Sequence, residues 1–229
     1  MSKFHGIVCV AGAASHEALV SLASAQVAPF DTYNGGTGEW DWWKVPGPDG
    51  YSFPVKPQFA GDPRLVPVSP DQPGRCHGGP VSALDLDVFV ADAARTAGSW
   101  RRWHSTPDAA SALPLSHFLG RIDKAAGYTA QQARDDFGAQ PPIRDHSGPR
   151  ARIWHVSDDP VHQFRGTLDD YLEREAGRLL RIEAFVTEAG EWLDDSAFGD
   201  SRDEFCVFAL NYLRQASDDV SAMYLHFHS

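Results

Sequence analysis

Val220-Ser221-Ala222-Met223-Tyr224-Leu225-His226-Phe227-His228 alternates its side-chain character with the two-residue period of a β-strand. Met223, Leu225 and Phe227 share one face and suit a core, whereas Tyr224, His226 and His228 share the other. The chain before it is punctuated as a helix and a hairpin. Ser201-Arg202-Asp203-Glu204 is a capping box, and Phe205, Phe208, Ala209, Tyr212 and Leu213 follow on one helical face before the Asp218-Asp219 turn. Residues 182–187 and 191–193 flank Ala189-Gly190 as a hairpin. The C-terminal part therefore reads β-β-α-β.

The other end complements it. Residues 4–10 form an apolar run of strand length, Ser15 caps a helix carrying Leu19, Leu22, Ala23 and Val27, and Pro29 stops that helix. A glycine-rich loop then delivers the chain into Glu39-Trp40-Asp41-Trp42-Trp43, a second strand. Two such ends, residues 1–45 and 181–229, predict an α+β fold in which one antiparallel, ferredoxin-like sheet carries helices on one face. Between them, residues 46–80 are rich in proline and glycine and predict an ordered excursion with one short strand near 65–68. Residues 81–180 predict a largely helical insertion. There, Leu84, Val88, Phe89 and Ala93 recur at helical spacing towards Trp100 and Trp103, further helices are expected over 115–126 and 129–137, and Pro141-Pro142 ends them. A short strand is expected at 153–156, and Thr167-Leu168-Asp169-Asp170 reads as a capping box with Asp in place of Glu.

Of the 229 residues, 42% are hydrophobic and 11% aromatic, as in a chain that folds by itself. The net charge of -11 repels phosphate backbones and argues against nucleic acid as a partner. The acids fall in pairs (Asp135-Asp136, Asp158-Asp159, Asp169-Asp170, Asp194-Asp195 and Asp218-Asp219), chiefly as helix starts and turns, with an acidic DNA-mimicking surface as the alternative. Cys9, Cys76 and Cys206 have no zinc or disulfide spacing. No run of about 20 apolar residues is present, and the first residues lack a cleavage pattern, so a cytoplasmic protein without a membrane anchor is expected.

The order of landmarks resembles a family of uncharacterised proteins found in bacteriophage and actinobacterial genomes. Ala28-Pro29-Phe30-Asp31 stands for its "APYDE"-like segment and Trp40-Asp41-Trp42-Trp43 for its "WDWY/W" motif. Ala139-Gln140-Pro141, Thr167-Leu168-Asp169-Asp170-Tyr171, Ala184-Phe185-Val186 and Gly190-Glu191-Trp192 continue the series. Leu225-His226-Phe227-His228-Ser229 stands for the terminal "VDCHI"-like strand. Two departures are evident: Pro46-Gly47-Pro48-Asp49-Gly50-Tyr51 replaces a "GGRW"-like turn, and His226-Phe227 replaces Asp-Cys. The resemblance implies a phage-type accessory protein acting in a host cytoplasm on a host protein or small molecule. It implies no mechanism.

Two groups of residues are candidates for function. Trp40, Asp41, Trp42 and Trp43, with Tyr51 after the turn, form a candidate ligand or partner surface. Alternation would bury Trp40 and Trp42 together and set Asp41 and Trp43 opposite them. His226 and His228 lie two apart on a strand and face the same way. If that strand pairs with the first, His5 and Cys9 join them, which makes His226, His228 and His5 candidate ligands of a divalent transition metal in a metal-dependent enzyme such as a hydrolase. His146, His155 and His162 fall near Asp145, Asp158 and Asp159 without an enforcing spacing, and Cys76-His77 offers a nucleophile pair only if the fold brings the two together. No nucleophile elbow, Walker loop or dinucleotide fingerprint is present.

Overall fold

The computed structural model describes residues 3–33, 35–122, 124, 127–147, 159–199 and 201–229. The chain divides into two compact units, Met1–Asp92 with Arg174–Ser229, and Ala93–Glu173. The first holds the sheet: β1 (Lys3–Ala11), β2 (Trp42–Lys44), β3 (Phe53–Pro54), β4 (Val66–Pro67), β5 (Arg75–Pro80), β6 (Ala184–Val186), β7 (Trp192–Leu193) and β8 (Val220–His228). Its main path runs β3-β5-β8-β1-β6-β7, with β2 also on β8 and β4 on β5.

The final strand is the axis of this sheet. Along one edge β8 pairs antiparallel with β1 over its whole length, which sets His5 directly opposite His226. Its other edge is shared: β5 pairs with Met223, Ala222 and Ser221, and β2 pairs with residues 226–228. The short strand expected near 65–68 in the excursion over 46–80 forms as β4, but the segment supplies two more strands, β3 and β5, and so belongs to the sheet that was expected from the two ends of the chain alone. β5 holds its place through Gly78, where a Cβ would meet Ala222 O at 2.7 Å and Met223 Cα at 2.9 Å. A glycine that marks close backbone approach reads, in the sequence, as a loop residue.

The sheet is mixed rather than wholly antiparallel. β6, the first strand of the expected hairpin, lies beside β1 and parallel to it, with β7 antiparallel outside. A parallel pair needs a crossover and cover on both faces. Helix α1 (His16–Val27) covers one face, where Leu19, Ala23 and Val27 pack with Val8, Val10, Val186, Met223, Leu225 and Phe227. Helix α9 (Arg202–Gln215) covers the other, with Phe208 and Tyr212 edge-on to Phe185 at 6.1 and 5.1 Å. Helices therefore lie on both faces, not one, and Ile7 to Val10 are all buried.

The short helix α2 (Asp87–Ala94) runs from the first unit into the second. The second unit contains α3 (Ala97–Ser105), α4 (Leu115–Leu119), α5 (Ala130–Ala139), α6 (Pro141–Ser147), α7 (Pro160–Gln163) and the start of α8 (Leu168–Arg178). Its core joins Trp103, Leu115, Phe118, Phe137, Phe164 and Tyr171. Helix α5 ends at Ala139, just before Pro141 and Pro142 as expected, and the two prolines then open α6, since proline suits a first turn whose N–H groups need no helical acceptor. The expected capping box forms at Thr167, whose N–H donates to Asp170 Oδ2 at 2.8 Å and whose Oγ1 accepts from Asp170 N, whereas the one expected at Ser201 forms by half: its Oγ accepts from Glu204 N, but its own N–H donates to Phe198 O. The expected strand at 153–156 lies outside the described residues. No helix among the described residues is long and apolar enough to cross a membrane.

Candidate functional site

The tryptophan stretch splits between two faces of the sheet. Trp40 is buried, and its Nε1 donates to Val27 O at 3.1 Å; Trp43 is partly buried on the same apolar cluster. Trp42 points the other way and is 39% exposed. The expected burial of Trp40 with Trp42 is corrected because the strand starts only at Trp42. Trp40 instead makes an isolated bridge to Asp31, so alternation does not carry back across Asp41.

Trp42 belongs to a wall that the register of β2, β8 and β1 assembles. It pairs with His228 across the strands, and the two rings stack at 5.2 Å and 13°. His226 lies 6.1 Å from Trp42 and 4.6 Å from His5, and His5 meets the edge of Tyr51 at 4.3 Å. Lys44 Nζ stands 5.8 Å from the Trp42 ring. The far end is pinned twice by Asp41, whose Oδ1 bonds His228 Nδ1 at 2.6 Å and whose N–H donates to His228 O at 2.8 Å. Tyr51 is held by His77 Nδ1, which bonds its carbonyl at 2.9 Å. The structure therefore brings Asp41, Trp42, Tyr51, His5, His226 and His228 together, and it leaves Trp40 and Trp43 in or against the core.

Burial and neighbouring positive charge both favour the neutral form of the paired imidazoles. Burial, then the charge of His226, lowers the pKa of His5, while Glu183 opposes both. Burial, then Lys44, Lys3 and His228, lowers that of His226. His226 Nε2 is shielded from solvent with no hydrogen-bond partner. As metal ligands these residues form a pair rather than a cage: His228 Nδ1 is engaged by Asp41, and Cys9, on the same face, is wholly buried with its thiol pushed up by desolvation. Among the described residues no group of three or more His, Cys, Asp or Glu is placed to hold a metal ion.

The remaining candidates have structural partners. Cys76 and His77 are neighbours on β5 and so point to opposite faces; burial raises the Cys76 thiol to about 12. His146 packs edge-on to Trp103 and Phe164, and Arg165 lies 3.2 Å from His162. His155 and Asp158 lie outside the described residues. Several acidic residues have local structural roles: Asp159 and Asp194 are helix N-caps, the first accepting from Leu115 N and Val161 N and the second from Ser196 N, while Asp219 accepts from Ser217 Oγ in the turn before β8. Sequence reasoning weighed His77 only as a partner of Cys76 and missed Arg75 and Arg181, which line a pocket with Tyr51. The Arg75-Cys76-His77 run reads as loop, and nothing in the sequence singled out Arg181.

The chain matches no family model, no curated protein and no solved structure.

Proposed function

We propose that the protein is a phage-type accessory protein that binds a small molecule, or a planar group of a host protein, on the wall formed by Trp42, His226, His5 and Tyr51. One observation carries this reading: a large ring that stays 39% exposed is stacked within 13° of a histidine that Asp41 fixes in place. An exposed aromatic held in one orientation loses little conformational freedom on binding and presents its face to a flat partner. Stacking, not acid-base or metal chemistry, is what this surface offers.

Saturation-transfer and chemical-shift NMR with a panel of small aromatic fragments tests it. Binders should shift the Trp42 indole N–H together with resonances of His226, His5 and Tyr51, and Trp42→Ala should remove them. A panel that leaves those residues unperturbed, or whose binders survive Trp42→Ala, would sink the reading.

A further inference from the structure

We propose that the pocket beside this wall is an anion site, in which Arg75 and Arg181 hold the carboxylate or phosphate of a small organic acid while its flat body lies against Tyr51. This rests on the small-ligand reading of the wall and names its ligand class. The pocket measures about 270 Å³ and lies along β8 near Tyr224, between the stretches that β5 and β2 cover. That size accommodates an acid group with one ring, below the span of drug-sized sites. Pro54, Val88, Phe89 and Leu179 give it apolar walls, while Tyr51, Ser52, Arg75, Asp92 and Arg181 give it polar ones.

Three features converge on an anion. First, Arg64, Arg178, Arg202 and Arg214 each hold a carboxylate within 3.3 Å, whereas among the described residues neither Arg75 nor Arg181 has one within ion-pair distance. In a chain of net charge -11, two guanidiniums without acids meet in one pocket, and against Asp92 they leave it formally positive. Second, the Arg75 fork is fixed in advance: Nε and Nη2 donate to Ser52 Oγ and Ser52 O, both at 2.8 Å, leaving Nη1 for a ligand. Third, Arg181 sits at φ +53 just past the end of α8, where its N–H closes on Arg178 O. Glycine is the unstrained choice at such a helix end, and the chain instead carries a cation there, 5.8 Å from the Tyr51 ring. Strain kept at a pocket rim marks a side chain with work to do. The Tyr51 hydroxyl, which has no hydrogen bond among the described residues, supplies a further donor.

Calorimetric titration of the full chain with phenyl phosphate, benzoate and neutral benzamide tests the site. At least one acid should bind about tenfold more tightly than benzamide, and Arg181→Gln and Arg75→Gln should each remove about that factor. Arg181→Gly should weaken binding equally without lowering the unfolding midpoint, which separates loss of the cation from loss of the fold. Preference between the two acids assigns phosphate or carboxylate. Equal binding of benzamide, no binding by either acid, or affinities unchanged in both Arg181 variants would overturn the proposal. Acid binding that needs Trp42 but not Arg181 keeps the wall and removes the anion site; dependence on Arg181 alone does the reverse.

Discussion

Replacing Asp41 and His228 by alanine, singly and together, measures the contact on which the exposed tryptophan depends. The Oδ1–Nδ1 distance is 2.6 Å, and the two side chains are only 19% and 12% exposed, so solvent screens the contact little. Hydrogen bonds to charged groups contribute about 1.5–3 kcal/mol, and the residual exposure trims this to about 1–2 kcal/mol for Asp41→Ala. His228→Ala also removes the Trp42 stack, worth about 0.5–1.5 kcal/mol, for a total of about 2–3 kcal/mol. If the hydrogen bond is the link, the double variant should cost no more than His228→Ala, which gives a coupling energy of about 1–2 kcal/mol. Urea unfolding of the four proteins reads this directly. The β2–β8 backbone pairing is common to all four, so it cancels in the cycle. A coupling below about 0.5 kcal/mol, within the error of additivity, would refute the claim that this pair fixes the wall.

Two further outcomes follow from the geometry. The folded-state pKa of His5, His226 and His77 lies below the ordinary imidazole value near 6.5, burial being the first cause in each case. The unfolded chain therefore takes up protons first: stability should hold above about pH 6.5, decline as pH falls through that value, and level off below the folded pKa values. Denaturation midpoints across this range should show the decline, and His226→Gln should flatten it; an identical slope would contradict the assignment. Gly177 and Gly138 should respond oppositely to alanine. A Cβ at Gly177 would meet the Cys206 and Val207 backbone at 2.8–2.9 Å, so overpacking of about 1–3 kcal/mol outweighs the helix-propensity gain. Gly138 on α5 has nothing within 4 Å, and its alanine variant should gain up to about 1 kcal/mol in thermal or urea unfolding.

Much of the candidate site was legible from spacing. Two-residue alternation put His226 and His228 on one face, and pairing of the first and last strands, which the sequence allowed only as a condition, sets His5 across from His226. The same logic failed at the tryptophans, because period-two reasoning assumes one continuous strand and Asp41 breaks it to bond His228. The positions of Arg75 and Arg181 were not legible at all. One lies in a proline-rich segment and the other past a helix end, and only the convergence of β5 and α8 near Tyr224 brings them to one pocket.

By itself the sequence determined the local elements: the capped helices α1, α8 and α9, the hairpin, the two terminal strands and the α+β class. These depend on hydrophobic period and on capping hydrogen bonds made within a few residues. The tertiary structure decided the rest. The unbroken apolar run Ile7-Val8-Cys9-Val10 is compatible with any strand covered on both sides, and only its neighbours reveal β6 running parallel to it. β5 becomes a strand because β8 offers it unpaired backbone groups and Gly78 lets it approach. Contacts of long sequence separation carry no periodic signature, so the wall and its arginine pocket belong to the fold and not to any motif.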